Sequence, residues 1–335
     1  MDSLTQILLG ASVAELVIGR AIGRRAALYG AALGTLPDLD VLIPYGGPVE
    51  DFTYHRGFSH SLLVLSAAAP VIGWALHKVQ GLAGLKLWIL MVWLVLITHP
   101  LLDAFTVYGT QLFWLLTEHP VSSSSMFIID PAYTIWLLLG VVAVLSFSRT
   151  KTLGYRLNAI GLTVASSYLA WSMVAKAHVT DIAARSLEAQ GITYTKILST
   201  PAPFNTLLWR FVVMQENGYS EGYYSIFDAG KEMTFDAYES EERLLRPLRD
   251  NWHAERLKWF THGFYKVSQN SPAIVITDLR MGVEGGYIFN FRVGEINSDG
   301  SVTPVNERVQ SERDISRLPL IWKRIWDSSV SLAPK

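Results

Sequence analysis

Six predominantly apolar stretches occupy the first half of the chain and predict six helices. They lie at residues 4–19, 26–36, 61–76, 87–102, 132–147 and 157–175. A membrane-spanning helix needs roughly 20 residues, so several stretches are marginal and the one at 26–36 is clearly short. The pattern predicts an α-helical polytopic membrane domain of about six segments, one of them short.

The pattern changes after residue 178. Apolar, aromatic-rich runs at 208–215 and 219–227 flank Asn217-Gly218, which is typical of a β-hairpin. A charged stretch at 237–260 is predicted to be helical. A second strand pair is predicted at 273–280 and 286–296, and an apolar helical stripe at 318–326. We expect the stripe to pack on a sheet, the alternative being a membrane surface. The chain is therefore predicted to have two domains: 1–178 in the membrane and 179–335 as an α+β soluble domain.

Composition agrees with this division. The chain of 335 residues is 17% charged, whereas a typical soluble domain is about 25% charged. Residues 1–178 contain 19 charged side chains and residues 179–335 contain 38. The net charge of −1 gives no basic surplus, so we expect no nucleic-acid partner. The absence of cysteine excludes a disulfide scaffold and a cysteine-ligated metal.

The few basic residues of the first domain predict its orientation. Three alternate loops between the predicted helices hold eight of them: Arg20, Arg24, Arg25, Lys78, Lys86, Arg149, Lys151 and Arg156. The other loops, 37–60 and 103–131, hold one, Arg56. Because cationic loops remain cytoplasmic, we expect these other loops and the soluble domain on the opposite side of a bacterial-type inner membrane. The lipid bilayer is then the first expected partner.

Three polar clusters fall at the predicted outer ends of the helices. Their ionisable members are Asp38 and Asp40; His55, Arg56 and His60; and His99 with Asp103. Two aspartates separated by one residue in a turn can converge on a cation, and His99 and Asp103 share one helix face. Three histidines and three aspartates on one side of a bundle suit one or two divalent ions, Zn²⁺ or Mn²⁺. A two-metal site would activate a water and clamp an ester or phosphoester.

Each of these residues also has a plainer interpretation. Asp-x-Asp in a loop is commonly solvated surface, and His-x₃-Asp on a helix is often a structural hydrogen bond. Arg56 could bind a substrate phosphate. The plainer interpretations are contact with a lipid headgroup or an ion pair with Glu50 or Asp51. Gln6 suits a polar contact between helices. Ser59 and Asp130 are predicted N-caps of the helices that follow them.

The three clusters resemble the motifs of the YdjM-type family of predicted membrane-bound metal-dependent hydrolases. The matching segments are Leu36-Pro37-Asp38-Leu39-Asp40, His55-Arg56-Gly57-Phe58-Ser59-His60-Ser61-Leu62, and Thr98-His99-Pro100-Leu101-Leu102-Asp103 with Thr106 and Gly109. The resemblance covers about residues 1–147. It implies an inner-membrane helical protein and a metal site of Asp38, Asp40, His55, His60, His99 and Asp103. Many members have a histidine at the position of Gln6, so this chain has one ligand fewer or a weaker amide ligand.

These observations favour a metal-dependent hydrolase at the outer membrane face that acts on an amphiphilic ester or phosphoester. Asp38, His60 and Asp103 are the expected catalytic residues, and Arg56 is the expected substrate-binding residue. Two alternatives remain. A transporter needs polar residues across the bilayer, for which Glu15 alone is thin evidence. A non-catalytic membrane scaffold would use a structural metal and bind partners through its soluble domain.

Overall fold

The computed structural model describes residues 1–147, 152–228, 230–310 and 318–334. Arg149 and Lys151, two of the basic loop residues, lie outside the described residues. The α-helices of the described ranges are α1 (Ser3–Ile22), α2 (Arg25–Thr35), α3 (Pro48–Tyr54), α4 (Leu62–Gln80), α5 (Leu85–Asp103), α6 (Pro131–Ser146), α7 (Leu153–Ala189), α8 (Trp252–Phe260) and α9 (Leu318–Trp326). The strands are β1 (Lys196–Pro201), β2 (Leu208–Gln215), β3 (Gly218–Ser225), β4 (Phe235–Glu239), β5 (Tyr265–Asn270), β6 (Ala273–Asp278), β7 (Asn290–Ile296) and β8 (Val302–Val309).

The chain divides into two compact units. The first comprises Met1–Ile43 and His55–Met173, and the second comprises Pro44–Tyr54 and Val174–Lys335. The sequence-based boundary at residue 178 falls in α7, as does the boundary between the units. The hydrophobic pattern contains no sign that residues 44–54 belong with the second unit.

All six apolar stretches of the first unit form helices. Within the described residues, α1, α4, α5 and α7 are long and apolar enough to cross a membrane, and α6 is a shorter apolar helix. The 11-residue α2 is the short segment expected from the sequence. The helical character of this region is thus confirmed, whereas the number of membrane crossings is a separate question.

Side-chain caps set the starts of these helices. The carboxylates of Asp2 and Asp130 accept backbone N–H groups at the first turns of α1 and α6, as an N-cap does. The predicted cap at Ser59 is wrong, because Ser61 caps α4 by accepting from the N–H of Val64. Ser59 instead donates its hydroxyl proton to Asp40 at 2.6 Å, so this serine belongs to the polar cluster.

Glycines allow α1 and α2 to approach closely. A Cβ added to Gly30 would lie 2.1 Å from the backbone oxygen of Gly10, and one added to Gly34 would lie 2.6 Å from the oxygen of Gln6. Small residues at i and i+4 permit this kind of backbone contact between membrane helices. Because α2 leads directly into Pro37, this packing sets the position of the first polar motif.

The second unit contains two four-stranded antiparallel sheets, with strand orders β1-β2-β3-β4 and β5-β6-β7-β8. The predicted hairpin at Asn217-Gly218 is confirmed, because β2 and β3 pair across it. The predicted pairing of the strands near 273–280 and 286–296 is confirmed as well, in β6 and β7. The apolar stripe packs as expected through Ile325, which is buried in one cluster with Leu208 of β2.

The charged stretch 237–260 was predicted to be helical, and this is wrong for its first part. Residues Phe235–Glu239 form β4, which pairs with β3 as an edge strand. The ring of Phe235 lies over Gly222 of β3, where a side chain would collide with it. A 3-10 helix at Glu242–Leu248 contains Pro247, and α8 follows after it. Pairing with the neighbouring strand thus outweighs the local charge pattern.

We expect Gly30→Ala to destabilise the first unit by about 1–3 kcal/mol, because the added methyl group forces α1 and α2 apart. Thermal unfolding of the purified protein in detergent measures this loss. Gly84→Ala is the matched control, since a Cβ at Gly84 meets no atom within 4 Å. Equal melting temperatures for the two variants would contradict the close packing.

Candidate metal centre

Four of the predicted side chains converge at one point of the first unit. Asp38 lies in a 3-10 helix after α2, and His60 ends the short 3-10 helix that precedes α4. His99 and Asp103 lie one turn apart at the end of α5. One ligand atom from each of the four residues lies within 4.8 Å of the other three. Three separate stretches of sequence are thus brought to a single site.

Five of the six distances between these four ligand atoms suit a metal coordination shell. The Nε2 atoms of His60 and His99 are 3.2 Å apart. Each lies 3.2–3.4 Å from Oδ1 of Asp38 and from Oδ2 of Asp103. A regular tetrahedron with metal–ligand bonds of about 2.0–2.1 Å has edges of about 3.3–3.4 Å. These five distances match the edges of a tetrahedral site with two nitrogen and two oxygen ligands, and the carboxylate oxygens of Asp38 and Asp103 lie within 4.8 Å of each other.

Hydrogen bonds on the far side of each imidazole turn its Nε2 atom toward the site. Nδ1 of His99 lies 2.7 Å from the backbone oxygen of Gly34, which can only accept, so Nδ1 carries the proton. Ser59 gives its own proton to Asp40 and lies 2.9 Å from Nδ1 of His60, so it accepts from that nitrogen. When both rings are neutral in these tautomers, as metal binding requires, both Nε2 atoms present lone pairs to the same point.

The buried carboxylate of Asp103 contacts several groups around the site. Its Oδ1 atom contacts Nε2 of Gln6 at 3.2 Å, Nη2 of Arg56 at 3.3 Å and the amino group of Met1. Its Oδ2 atom, which faces the two imidazoles, is buried without a hydrogen-bond partner among the described residues. A bound cation would take the place of the protons that the two Nε2 atoms otherwise donate to the carboxylates of Asp38 and Asp103. The donor set of two imidazoles and two carboxylates fits Zn²⁺, and it also suits Mn²⁺.

The site opens at Asp38. The side chain of Asp38 is 23% exposed, whereas those of His60, His99 and Asp103 are 0–1% exposed. Burial alone would raise the pKa of the Asp38 carboxyl, but hydrogen bonds from His60 and His99 hold that pKa below its ordinary value. Asp38 is therefore a carboxylate at neutral pH and the donor most accessible from outside.

Asp40 and His55 lie beside the four donors. Oδ1 of Asp40 contacts Nδ1 of His55 at 2.8 Å, and Oδ2 accepts from the backbone N–H of Arg56 at 2.9 Å as well as from Ser59. Burial would raise the pKa of Asp40, but the hydrogen bond with His55 lowers it below the ordinary value. With both oxygens engaged, Asp40 orients the second motif. A metal-ligand role for Asp40 and His55 stays a prediction.

Arg56 is buried against the site in a conformation unusual for its residue type. Its φ angle of 62° lies in the left-handed region, which costs a non-glycine residue roughly 1–2 kcal/mol. The guanidinium contacts Asp103 and Thr106 and lies over the ring of Tyr108. These contacts take the place of the alternative pair with Glu50 or Asp51.

Sequence reasoning missed some of the groups that hold the site. The backbone oxygen of Gly34 orients His99, and a backbone carbonyl has no signature in a sequence. Gln6 was expected in a helix contact, and it does join α1 to α5, but through Asp103 itself and the backbone oxygen of His99. The position of Gln6 near the outer end of α1 was the available signal for this.

The first unit lies within the match to a known protein family. A search of curated proteins and a search of solved structures gave no significant match. The sequence profile of a family described as YdjM inner membrane protein matches residues 1–179, which is more than half of the chain and includes all four converging donors. The chain belongs to the YdjM family of inner membrane proteins.

Proposed function

We propose that this protein is a membrane-bound metal-dependent hydrolase. The observation that carries the proposal is the convergence of Asp38, His60, His99 and Asp103, whose ligand atoms lie within 4.8 Å of one another in the buried end of the first unit. Three protein ligands are enough for a catalytic zinc. The fourth donor, the partly exposed Asp38, would then be the one to give way to a substrate or water.

Zn²⁺ is the preferred ion of this proposal and Mn²⁺ the second, with one ion held by the four donors. When bound, such an ion lowers the pKa of a water molecule and polarises an ester or phosphoester oxygen. The protein's own residues supply the remaining parts. Asp40 and Ser59 fix the orientation of His60, and Gly34 fixes that of His99, as outer partners of metal-binding histidines do.

His55 is our candidate for proton transfer. It is 24% exposed, lies at the rim of the site and is paired with Asp40, which holds its ring in one orientation. A histidine held by a carboxylate is a common general base. Arg56 carries a charge next to Asp103, and its buried Nε has no partner among the described residues. We propose that Arg56 stabilises the negative charge of the reacting group.

The surface next to Asp38 supports an amphiphilic substrate. The segment that follows α2 exposes a row of apolar side chains: Leu36, Leu39, Val41, Leu42 and Ile43. Leu42 is 75% exposed and Val41 70%, although both are fully apolar. An acyl or isoprenoid chain lying on this row would place its polar head group at Asp38. A phospholipid or lipid-linked intermediate is the substrate class that we propose.

The metal assignment predicts metal content directly. Protein purified in detergent should contain about one zinc or manganese ion per chain by elemental analysis, because four donors form one site. The double variant His60→Ala, Asp103→Ala should contain almost none. Asp40→Asn is the informative comparison: it should bind the ion 10- to 100-fold more weakly, since it loses an outer partner and not a donor. Unchanged metal content in the double variant would refute the site.

The substrate class predicts a change in cellular lipids. Cells without the protein should accumulate an amphiphilic ester or phosphoester, and the wild-type chain should remove it. The double variant His60→Ala, Asp103→Ala should leave the lipid at the level of the deleted strain. Lipid mass spectrometry of the three strains measures this. Restoration by the double variant would separate the lipid change from the metal site and refute hydrolysis there.

We further propose that the apolar helices of the first unit lie in the membrane, with α2 as a short segment among them, and that the second unit lies outside the cytoplasm. Because the chain contains no cysteine, single-cysteine variants report this directly. Ser298→Cys, in an exposed turn of the second unit, should react with a membrane-impermeant maleimide in spheroplasts. Lys78→Cys, exposed at the end of α4, should react only after lysis. The reverse pattern would overturn this orientation.

A further inference from the structure

Residues 44–54 stand between two parts of the candidate metal site in the sequence. Asp40 precedes this segment and His55 follows it directly. The segment nevertheless belongs to the second unit, where its helix α3 packs against α8 and β8. The chain thus leaves the first unit after Ile43, enters the second, and returns at His55.

An aromatic anchor holds the segment in the second unit. Phe52 is buried, and its ring centroid lies 4.6 Å from that of Phe289, 4.9 Å from that of Phe260 and 5.0 Å from that of Phe291. Val49, one turn earlier on the same helix, is fully buried too. One face of α3 is therefore part of the apolar core of the second sheet.

Polar contacts fix the orientation of the helix on that core. Glu50 accepts from Nδ2 of Asn306 at 2.8 Å and contacts Nε2 of His253 at 3.0 Å. The oxygen of the Asn306 side chain in turn accepts from the backbone N–H of Val49 at 3.2 Å. On the other side, Nε of Arg256 donates to Thr53 at 3.2 Å. A segment that merely crossed the surface would not need charged, directional partners on both sides.

The two ends of the segment are held together. The backbone N–H of Tyr45 donates to the carboxylate of Asp51 at 2.7 Å, and the rings of Tyr45 and Tyr54 lie 5.7 Å apart. The segment therefore closes on itself and returns the chain close to its starting point. Closing a loop of this length costs conformational entropy. Because the segment is already ordered on folding, this entropy is not lost again when a metal binds.

We propose that Phe52 is a positioning residue of the metal site and that the second unit acts through it. By fixing residues 44–54, the second unit sets where Asp40 and His55 meet and hence how Asp40 and Ser59 orient His60. This inference rests on the proposed metal-dependent function. Most of the second unit lies beyond the residues that match the family. The inference gives this unit a role in the chemistry of the first.

Metal affinity in the full-length protein tests this role. Phe52→Ala should weaken Co²⁺ binding about tenfold or more and alter the visible absorption of the bound cobalt, whereas Phe52→Leu should restore both. Asn306→Ala removes the partner of Glu50 and should weaken binding in the same direction. Asn297→Ala is its matched control, because Asn297 contacts Ser301 and Thr303 in the β7–β8 turn and should bind cobalt like the wild type.

Amide hydrogen exchange provides a readout that needs no metal. In Phe52→Ala and Asn306→Ala, amides of residues 37–42 and 55–60 should exchange faster, while α1 and α5 keep their protection. Unchanged exchange there, or cobalt affinity within twofold of the wild type, would overturn the positioning role even if the variants melt earlier. A wild-type protein that binds no metal would instead refute the proposed function, and exchange would still decide this inference. If Phe52→Ala does not fold, Asn306→Ala carries the test.

Discussion

Two carboxylates and two imidazoles share one point in the helical unit, and the rest of this unit is arranged around them. Burying a charged carboxylate costs several kcal/mol unless it is paired, and at Asp103 one buried oxygen faces the two imidazoles. Gly34, Ser59 and Asp40 all act to keep the lone pairs of His99 and His60 turned inward. These contacts hold two imidazole nitrogens and two carboxylates at one point, where a cation could replace the protons that they share.

The apolar packing of the helices places these groups. The glycine contact between α1 and α2 brings the end of α2 close to Gln6, and Gln6 contacts Asp103 on α5. The same Gly34 that packs on α1 offers its backbone oxygen to His99. Helix packing and the orientation of the histidines are therefore coupled through one residue. A loss of close packing between α1 and α2 should therefore alter the orientation of His99 as well as lower the stability of the unit.

Local patterns predicted much of this protein, and long-range contacts account for what they missed. The apolar stretches predicted the helices of the first unit because a membrane helix is defined by its own composition, and the three motifs predicted all four converging donors. The edge strand β4 and the docking of Phe52 depend on partners far away in the sequence, which no local pattern contains. The sequence also grouped six residues as equal ligands, whereas contacts distinguish four inward-facing donors from Asp40 and His55 beside them.

The second unit extends this family fold with two sheets and holds a segment of the chain that separates two metal-site motifs. The chemistry itself depends on the four donors. X-ray absorption at the zinc edge of the purified protein tests them most directly. We predict a four-coordinate ion with two imidazole nitrogens and two oxygens at about 2.0–2.1 Å, and loss of one imidazole contribution in His99→Ala. A spectrum without imidazole ligands, or one unchanged in that variant, would contradict the metal centre on which the proposed function rests.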